Sequence, residues 1–449
     1  MNKLNDFPYK NILVLGLAKS GTATSKILVK NNYNVSVNDL KASNEDQVVK
    51  ELQALGVDVV TGSHPLYLLD NAEVVVKNPG IPYENALIQE AKRREIPVIT
   101  EIELVHYLIS SPYIGITGSN GKTTTTTLTH EMLEQSNKKS KIAGNIGKVA
   151  VEVAETLATD ETMVVELSSF QLMGTEKFRP HIAVFLNLFQ SHIDYHGTYP
   201  NYKAAKTRIF ENQTNDDYLV YNADDNEICA LVNDASAKKI PFSSSQKCLD
   251  GAWCDETYIY FKEEPIIERQ RIVLVGKHNL ENILAAVAAS MLAGATKEGI
   301  VNVLTTFTGV KHRTQYVENV NERMFYNDSK ATNILATSKA LGSFEQPIIL
   351  LAGGLDRGND FEELIPHLTN VKAMILFGET ADKLEKAGLA ANVSTILFVE
   401  TMKEAVDQAY EISNEKDVIL LSPACASWDQ YRTFEERGDM FTEAVHTLK

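Results

Sequence analysis

The segment GITGSNGKTTTTT, residues 115–127, sets two glycines, Gly118 and Gly121, ahead of the pair Lys122 and Thr123. Glycines at such positions let successive backbone N–H groups face one anion, while a lysine reaches the β and γ phosphates and a threonine hydroxyl can ligate Mg²⁺. The general phosphate-loop rule wants a glycine, four residues, then Gly-Lys-Ser/Thr. Here that count lands on Ile116, and the glycine is displaced to Gly118. The loop still follows an apolar run and precedes a helical one, which is the context a phosphate cradle requires. We therefore read Gly118, Ser119, Asn120, Gly121, Lys122, Thr123 and Thr124 as an ATP site, with Thr123 on Mg²⁺.

Other residues could complete that chemistry. Glu166 ends the run TMVVEL, where a carboxylate facing the same sheet edge as the loop would be a Mg²⁺ ligand; a solvated strand cap is the alternative. Asn279 and Asn282, three apart at the start of an apolar helix, share a face and could read an adenine edge, or one could cap the helix. Asp328 and Lys330 follow the run RMFYN, where a carboxylate can hold ribose hydroxyls and an ammonium can sit near a transferring phosphate. His192 and His196 have a zinc-like spacing, but Gly197 and Pro200 argue against a helical HxxxH. Near the N-terminus Gly16, Ala18 and Gly21 form a degraded dinucleotide fingerprint with Asp39 at the end of the next strand. It suits a nucleotide held by Ser20 and nearby N–H groups, with Asp39 or Lys41 on ribose or base; a plain turn is the alternative.

The elements that must position these groups recur as β-branched apolar runs alternating with helical stretches, the pattern of mainly parallel sheets. The runs NILVLG, YNVSVND, AEVVVK and IPVIT make a first block; YIGITG, TMVVEL and HIAVFLN belong to a second. RMFYN, PIILLAGG, VKAMILFG, STILFVE and DVILLSP, each followed by a helical segment, make a third. The expected fold is α/β in three domains: a Rossmann-like domain over 1–104, a central P-loop ATPase-like domain with a mainly parallel sheet over 105–309, and a Rossmann-like domain over 310–449. The 449 residues are 44% hydrophobic, enough for several cores. A formal charge of −16 excludes a broad basic face for nucleic acid, so anions must be held by local cations and backbone N–H groups. Without a secretory pattern or a long apolar run, the expectation is a cytoplasmic, membrane-free protein. Four scattered cysteines suggest neither a disulfide framework nor a zinc knuckle.

Taken together, TGSNGKTTT, GNIG (144–147), ELSSFQL (166–172), HIDYHGTYPNYKAAKTRIF (192–210), GKHNLENILAA (276–286), KHRTQ (311–315), NDSKATN (327–333) and LSPACASWDQ (421–430) resemble the Mur ligases along essentially the whole chain. NDSKATN and LSPACASWDQ resemble the D-glutamate-adding branch, whereas the Asp-Asn-Pro-Arg string of the diamino-acid-adding branch does not occur. The resemblance implies a monomeric ATP- and Mg²⁺-dependent ligase that joins UDP-N-acetylmuramoyl-L-alanine to D-glutamate through an acyl phosphate. It implies that His192 joins Glu166 at a second Mg²⁺, that Lys206 is carbamylated to become an oxygen ligand, and that Lys330 and Arg313 serve the nucleotide. Asn145 and Ser168 would meet the muramoyl-alanine end, and Thr332, Arg357, Ser427 and Phe434 the D-glutamate. Ser191 stands where the family commonly has an acidic residue, and Arg357 where relatives have lysine. A folylpolyglutamate synthetase is the alternative ligase, disfavoured by the hundred or so residues of α/β pattern before the loop; a P-loop nucleotide switch would not need the C-terminal motifs.

Overall fold

β-branched and leucine-rich runs become strands buried on both faces, because helices cover each side of a parallel sheet. In the computed structural model, which describes residues 1–274 and 276–448, these runs form three sheets. The first is wholly parallel, in the spatial order Asp58–Thr61, Asn34–Asp39, Asn11–Leu15, Val74–Lys77, Val98–Ile99. Its order reverses between Asn11–Leu15 and Val74–Lys77, so the loops after those two strands flank a crevice suited to a ligand.

The second sheet centres on Tyr113–Thr117, flanked in parallel by Thr162–Glu166, with Ser140–Gly144 beyond it, and on the other side by Ile182–Phe185. Tyr218–Asn222, Lys238–Ser243 and Ala252–Cys254 extend the parallel part. Tyr258–Phe261 and Glu264–Glu268 then add an antiparallel edge that the sequence pattern does not announce. In the third sheet Arg323–Asn327, Val418–Leu421, Ile348–Gly353, Val371–Phe377 and Thr395–Phe398 are parallel, and Gln315–Val320 closes one edge antiparallel. The helix expected after PIILLAGG is instead a loop and a short 3₁₀ helix, Glu362–His367, containing Pro366. Gly354, Gly358 and that proline break α-helical continuity.

The first two sheets share one apolar core, running from Ile12 and Val14 through Ile102 and Leu104 to Phe185 and Ile209. Met1–Arg271 and Leu280–Thr305 form one unit, and the remaining described residues form another. The division runs through the helix Lys277–Leu292, with Asn282 in the first unit and Asn279 in the second. Among the described residues no helix is long and apolar enough to cross a membrane.

Candidate active site

The loop after Tyr113–Thr117 leads into the helix Lys122–Gln135, whose cap, Gly121, has φ +81°. A Cβ at Gly121 would lie 2.1 Å from Asn282 Oδ1, so glycine is required both for its backbone and for the space. Threonines are poor helix formers, but here their hydroxyls bond back one turn, Thr127 to the Thr123 carbonyl at 2.9 Å and Thr129 to that of Thr125 at 2.8 Å. Buried Leu128, Met132 and Leu133 hold the helix against the core. The Lys122 ammonium folds over the loop, donating to the carbonyls of Gly118 (2.9 Å) and Ser119 (3.0 Å). Asn187, which sequence reasoning passed over, clamps Asn120: its Oδ1 accepts the Asn120 N–H at 2.8 Å and its Nδ2 donates to the Asn120 carbonyl at 3.1 Å.

The adjacent strand brings Glu166 to the loop. Its Oε2 accepts from the Thr123 hydroxyl at 2.8 Å and its Oε1 from Asn145 Nδ2 at 2.8 Å. On the other side Lys206 is 1% exposed, and its Nζ donates to the Gly118 carbonyl at 2.7 Å beneath the Tyr202 ring. Burial, then the Lys122 charge, push the Lys206 amine well below the ordinary lysine value, with Glu166 pulling partly back. Tyr202, also missed from sequence, is buried and hydrogen-bonds the Ser119 hydroxyl at 2.8 Å. His192 has φ 54° and begins the one-turn helix Ile193–His196. His196 is stacked on Phe170 and bonded to the Ser169 hydroxyl at 2.9 Å, and burial brings it down to about 4.

In the first sheet, Gly21 lies where a Cβ would come within 1.8 Å of the Gly16 carbonyl oxygen, the close approach of helix to strand that the fingerprint provides. Ser20 Oγ accepts from Asn78 Nδ2 at 2.9 Å. The Asp39 carboxylate accepts the backbone N–H groups of Leu17 (2.6 Å), Lys41 (2.7 Å) and Ala42 (2.9 Å). Burial opposes its ionisation, but these bonds and His64 outweigh it and hold the group below the usual carboxylate range. Lys41 is exposed. Ser168 caps the helix Ser169–Leu172 in a capping box with Gln171.

The second unit gathers its own set. Asp328 is 7% exposed, accepting from the Ser422 hydroxyl (2.8 Å) and the Thr314 N–H (3.0 Å). Burial raises its pKa to about 7, against those hydrogen bonds and Arg313. The Lys330 ammonium lies 4.8 Å from the Phe434 ring centre, and the Thr332 N–H bonds the Lys330 carbonyl at 2.9 Å. Beneath this loop Arg437, 0% exposed, donates to the Ser329 hydroxyl (3.0 Å) and the carbonyls of Ser329 (2.9 Å) and Cys425 (3.0 Å). It ties together the two motifs NDSKATN and LSPACASWDQ. Among the described residues Ser427 Oγ is buried without a hydrogen-bond partner, and the Arg357 guanidinium lies 5.0 Å from the ring centre of exposed Trp428.

Three family models match the chain: the Mur ligase MurD-like N-terminal domain over residues 10–100, the Mur ligase middle domain over 116–290, and the Mur ligase glutamate ligase domain over 312–425. Over all 449 residues, covering both chains completely, it is 59% identical to a UDP-N-acetylmuramoylalanine–D-glutamate ligase of Oceanobacillus iheyensis. The chain belongs to the Mur ligase family. A Bacillus anthracis protein of the same name is 56% identical at the same full coverage.

The fold agrees with solved Mur ligase structures. A UDP-N-acetylmuramate–alanine ligase from Thermotoga maritima superposes with a TM-score of 0.57 at 18% identity, covering 98% of this chain and 100% of that one. A Mur ligase from the same organism, in complex with ADP, gives 0.58 at 15% identity, covering 93% and 96%. In this Mur ligase the groups that sequence reasoning missed, Asn187, Tyr202 and Arg437, are of residue types that announce no chemistry where they stand. Their signal is burial or contact, which a one-dimensional reading does not contain.

Proposed function

We propose that this Mur ligase joins the alanyl carboxyl of UDP-N-acetylmuramoyl-L-alanine to the amine of D-glutamate, converting ATP to ADP and phosphate in peptidoglycan precursor synthesis. The observation that carries it is the convergence of Lys122, Thr123, Glu166 and buried Lys206 on one glycine loop. The names of the 56–59% identical relatives support the choice of substrates.

A carboxylate is a poor electrophile, because oxide is a prohibitive leaving group. Its oxygen therefore attacks the γ-phosphorus of ATP and ADP departs, leaving an acyl phosphate. The D-glutamate amine then attacks the carbonyl carbon, and the tetrahedral intermediate releases phosphate and a proton. Lys122 offsets charge on the γ-phosphoryl, and the loop amides hold the β-phosphate in register.

Thr123 Oγ1 and Glu166 Oε2, 2.8 Å apart, are a hard-oxygen pair that fits Mg²⁺ completed by phosphate oxygens and water. When bound, Mg²⁺ supplies charge neutralisation between the two anions that must meet. A lysine amine is no ligand for a hard cation. The depressed basicity of Lys206 keeps it nucleophilic toward CO₂, and the resulting carbamate would offer oxygens beside His192. We assign residues 1–104 to the UDP-substrate, with Ser20, Asp39 and Lys41 at the nucleotide and Asn145 and Ser168 at the muramoyl-alanine end. Residues 105–309 take ATP, with Asn279 and Asn282 at adenine, and Arg313, Asp328 and Lys330 also serve that nucleotide. Residues 310–449 take D-glutamate through Thr332, Arg357, Ser427 and Phe434.

Phosphate release measured with each component omitted in turn tests this. Dependence on ATP, Mg²⁺, UDP-N-acetylmuramoyl-L-alanine and D-glutamate together is expected; turnover with a folate and L-glutamate instead would overturn it.

A further inference from the structure

Besides Lys206, the first unit buries a second lysine close to the substrate crevice. Lys77 ends the strand Val74–Lys77, beside the point where the strand order reverses, and is 1% exposed. Its Nζ donates to the Pro79 carbonyl (3.1 Å) and the Tyr195 hydroxyl (3.0 Å), and lies 4.7 Å from the Tyr83 ring centre. Burial pulls the amine down to about 7, with Glu101 opposing. Taking a lysine so far out of water is costly, and an apolar side chain of similar volume would serve packing better. The placement therefore asks for a role beyond packing.

Tyr195 is the other half of the contact. Its hydroxyl reaches the carbonyls of Pro79 (2.9 Å) and Ile81 (3.0 Å), so one phenol and one amine grip both sides of the turn 78–81. That turn flanks the crevice of the first sheet, and its Asn78 is bonded to Ser20. Tyr195 also lies three residues after His192, whose backbone is left-handed at φ 54°, an uncommon conformation for a residue with a Cβ. The Phe170 ring packs edge-on against both, 4.4 Å from Tyr195 and 5.0 Å from His192. A continuous chain of contacts thus runs from Ser20 through Asn78 and the turn to Tyr195, Phe170 and His192.

We propose that Lys77 and Tyr195 are positioning residues that lock the turn 78–81 to the His192 segment, setting how far the alanyl carboxylate of the bound substrate stands from the γ-phosphoryl of ATP. This rests on the ligase reading given above. It makes the pair a ruler between two ligand sets: the turn borders one and His192 the other, and neither Lys77 nor Tyr195 needs to touch a reacting atom. Misplacement of reactants by about 1 Å can cost on the order of 100-fold in rate, so losing one hydroxyl from the lock should show chiefly in turnover.

The test is steady-state phosphate release by the full chain, together with calorimetric binding of UDP-N-acetylmuramoyl-L-alanine without ATP, for Tyr195→Phe, Lys77→Met and the double variant. Tyr195→Phe should lower kcat about tenfold or more while KM for ATP and Kd for the UDP-substrate move less than about twofold. The double variant should be no worse than the more severe single one, because the two groups act as one contact. An unchanged kcat would overturn the proposal. So would a fall matched by equal losses of ATP and UDP-substrate affinity, the mark of general loosening, or full additivity of the two substitutions. If Lys77→Met does not fold, Tyr195→Phe decides alone. Failure of the wild-type chain to turn over these substrates would instead sink the ligase reading, and is visible before any variant is made.

Discussion

Asp328 offers a perturbation whose effects on stability and on activity have opposite signs. Burial raises its pKa from 3.8 to about 7. A carboxyl whose folded pKa exceeds its unfolded one stabilises the fold fully below the unfolded value, and that contribution is lost as pH rises toward the folded value. A rise of roughly three units corresponds to about 4 kcal/mol at most, of which roughly 2–3 kcal/mol is lost between about pH 5 and pH 8. The amide introduced by Asp328→Asn would not titrate, and it can donate to the Ser422 hydroxyl where the carboxylate accepts from it at 2.8 Å. For a unit of roughly 150 residues each kcal/mol moves the unfolding midpoint by about 2–4 °C. Calorimetric unfolding of wild type and Asp328→Asn at about pH 5 and pH 8 should therefore show the variant gaining roughly 5–10 °C on wild type at the higher pH. Over the same comparison the variant's KM for ATP should rise about tenfold, since an amide offers one acceptor where a carboxylate offers two for ribose hydroxyls. Midpoints that stay parallel at both pH values would refute the claim that this carboxyl is held against ionisation by burial.

Gly121→Ala should weaken ATP binding at least about tenfold in a fluorescent-nucleotide titration, because a left-handed backbone costs a residue with a Cβ about 1–2 kcal/mol and the new methyl meets Asn282; unchanged affinity would move ATP elsewhere. Glu166→Gln should lower kcat on the order of 100-fold and raise the Mg²⁺ concentration for half-maximal rate, with an unaltered far-ultraviolet dichroism spectrum. Arg437→Met strands the buried carbonyls of Ser329 and Cys425 and should cost about 3 kcal/mol, read as a lower unfolding midpoint. A midpoint equal to that of wild type would show that these carbonyls need no guanidinium.

The glycine turn between strand and helix was legible in the chain alone because it is local: two glycines and Lys122 lie within a few residues, and Gly121, having no side chain, accommodates φ +81°. The alternation of strands and helices was legible for the same reason, since burial on both sheet faces selects β-branched runs. Where antiparallel strands attach was not, because the edge Tyr258–Phe261 and Glu264–Glu268 depends on which neighbour is open for pairing. That the Asp39 carboxylate accepts the N–H groups of Leu17, Lys41 and Ala42 was not legible either, because pairing of neighbouring strands is what brings Leu17 to it. Thr123 meets Glu166 across 43 positions, Lys206 meets Gly118 across 88, and Lys77 meets Tyr195 across 118. Such meetings are decided by the order in which strands pair: a residue's own type sets what bond it can make, while sheet topology alone sets which distant residue is there to make it.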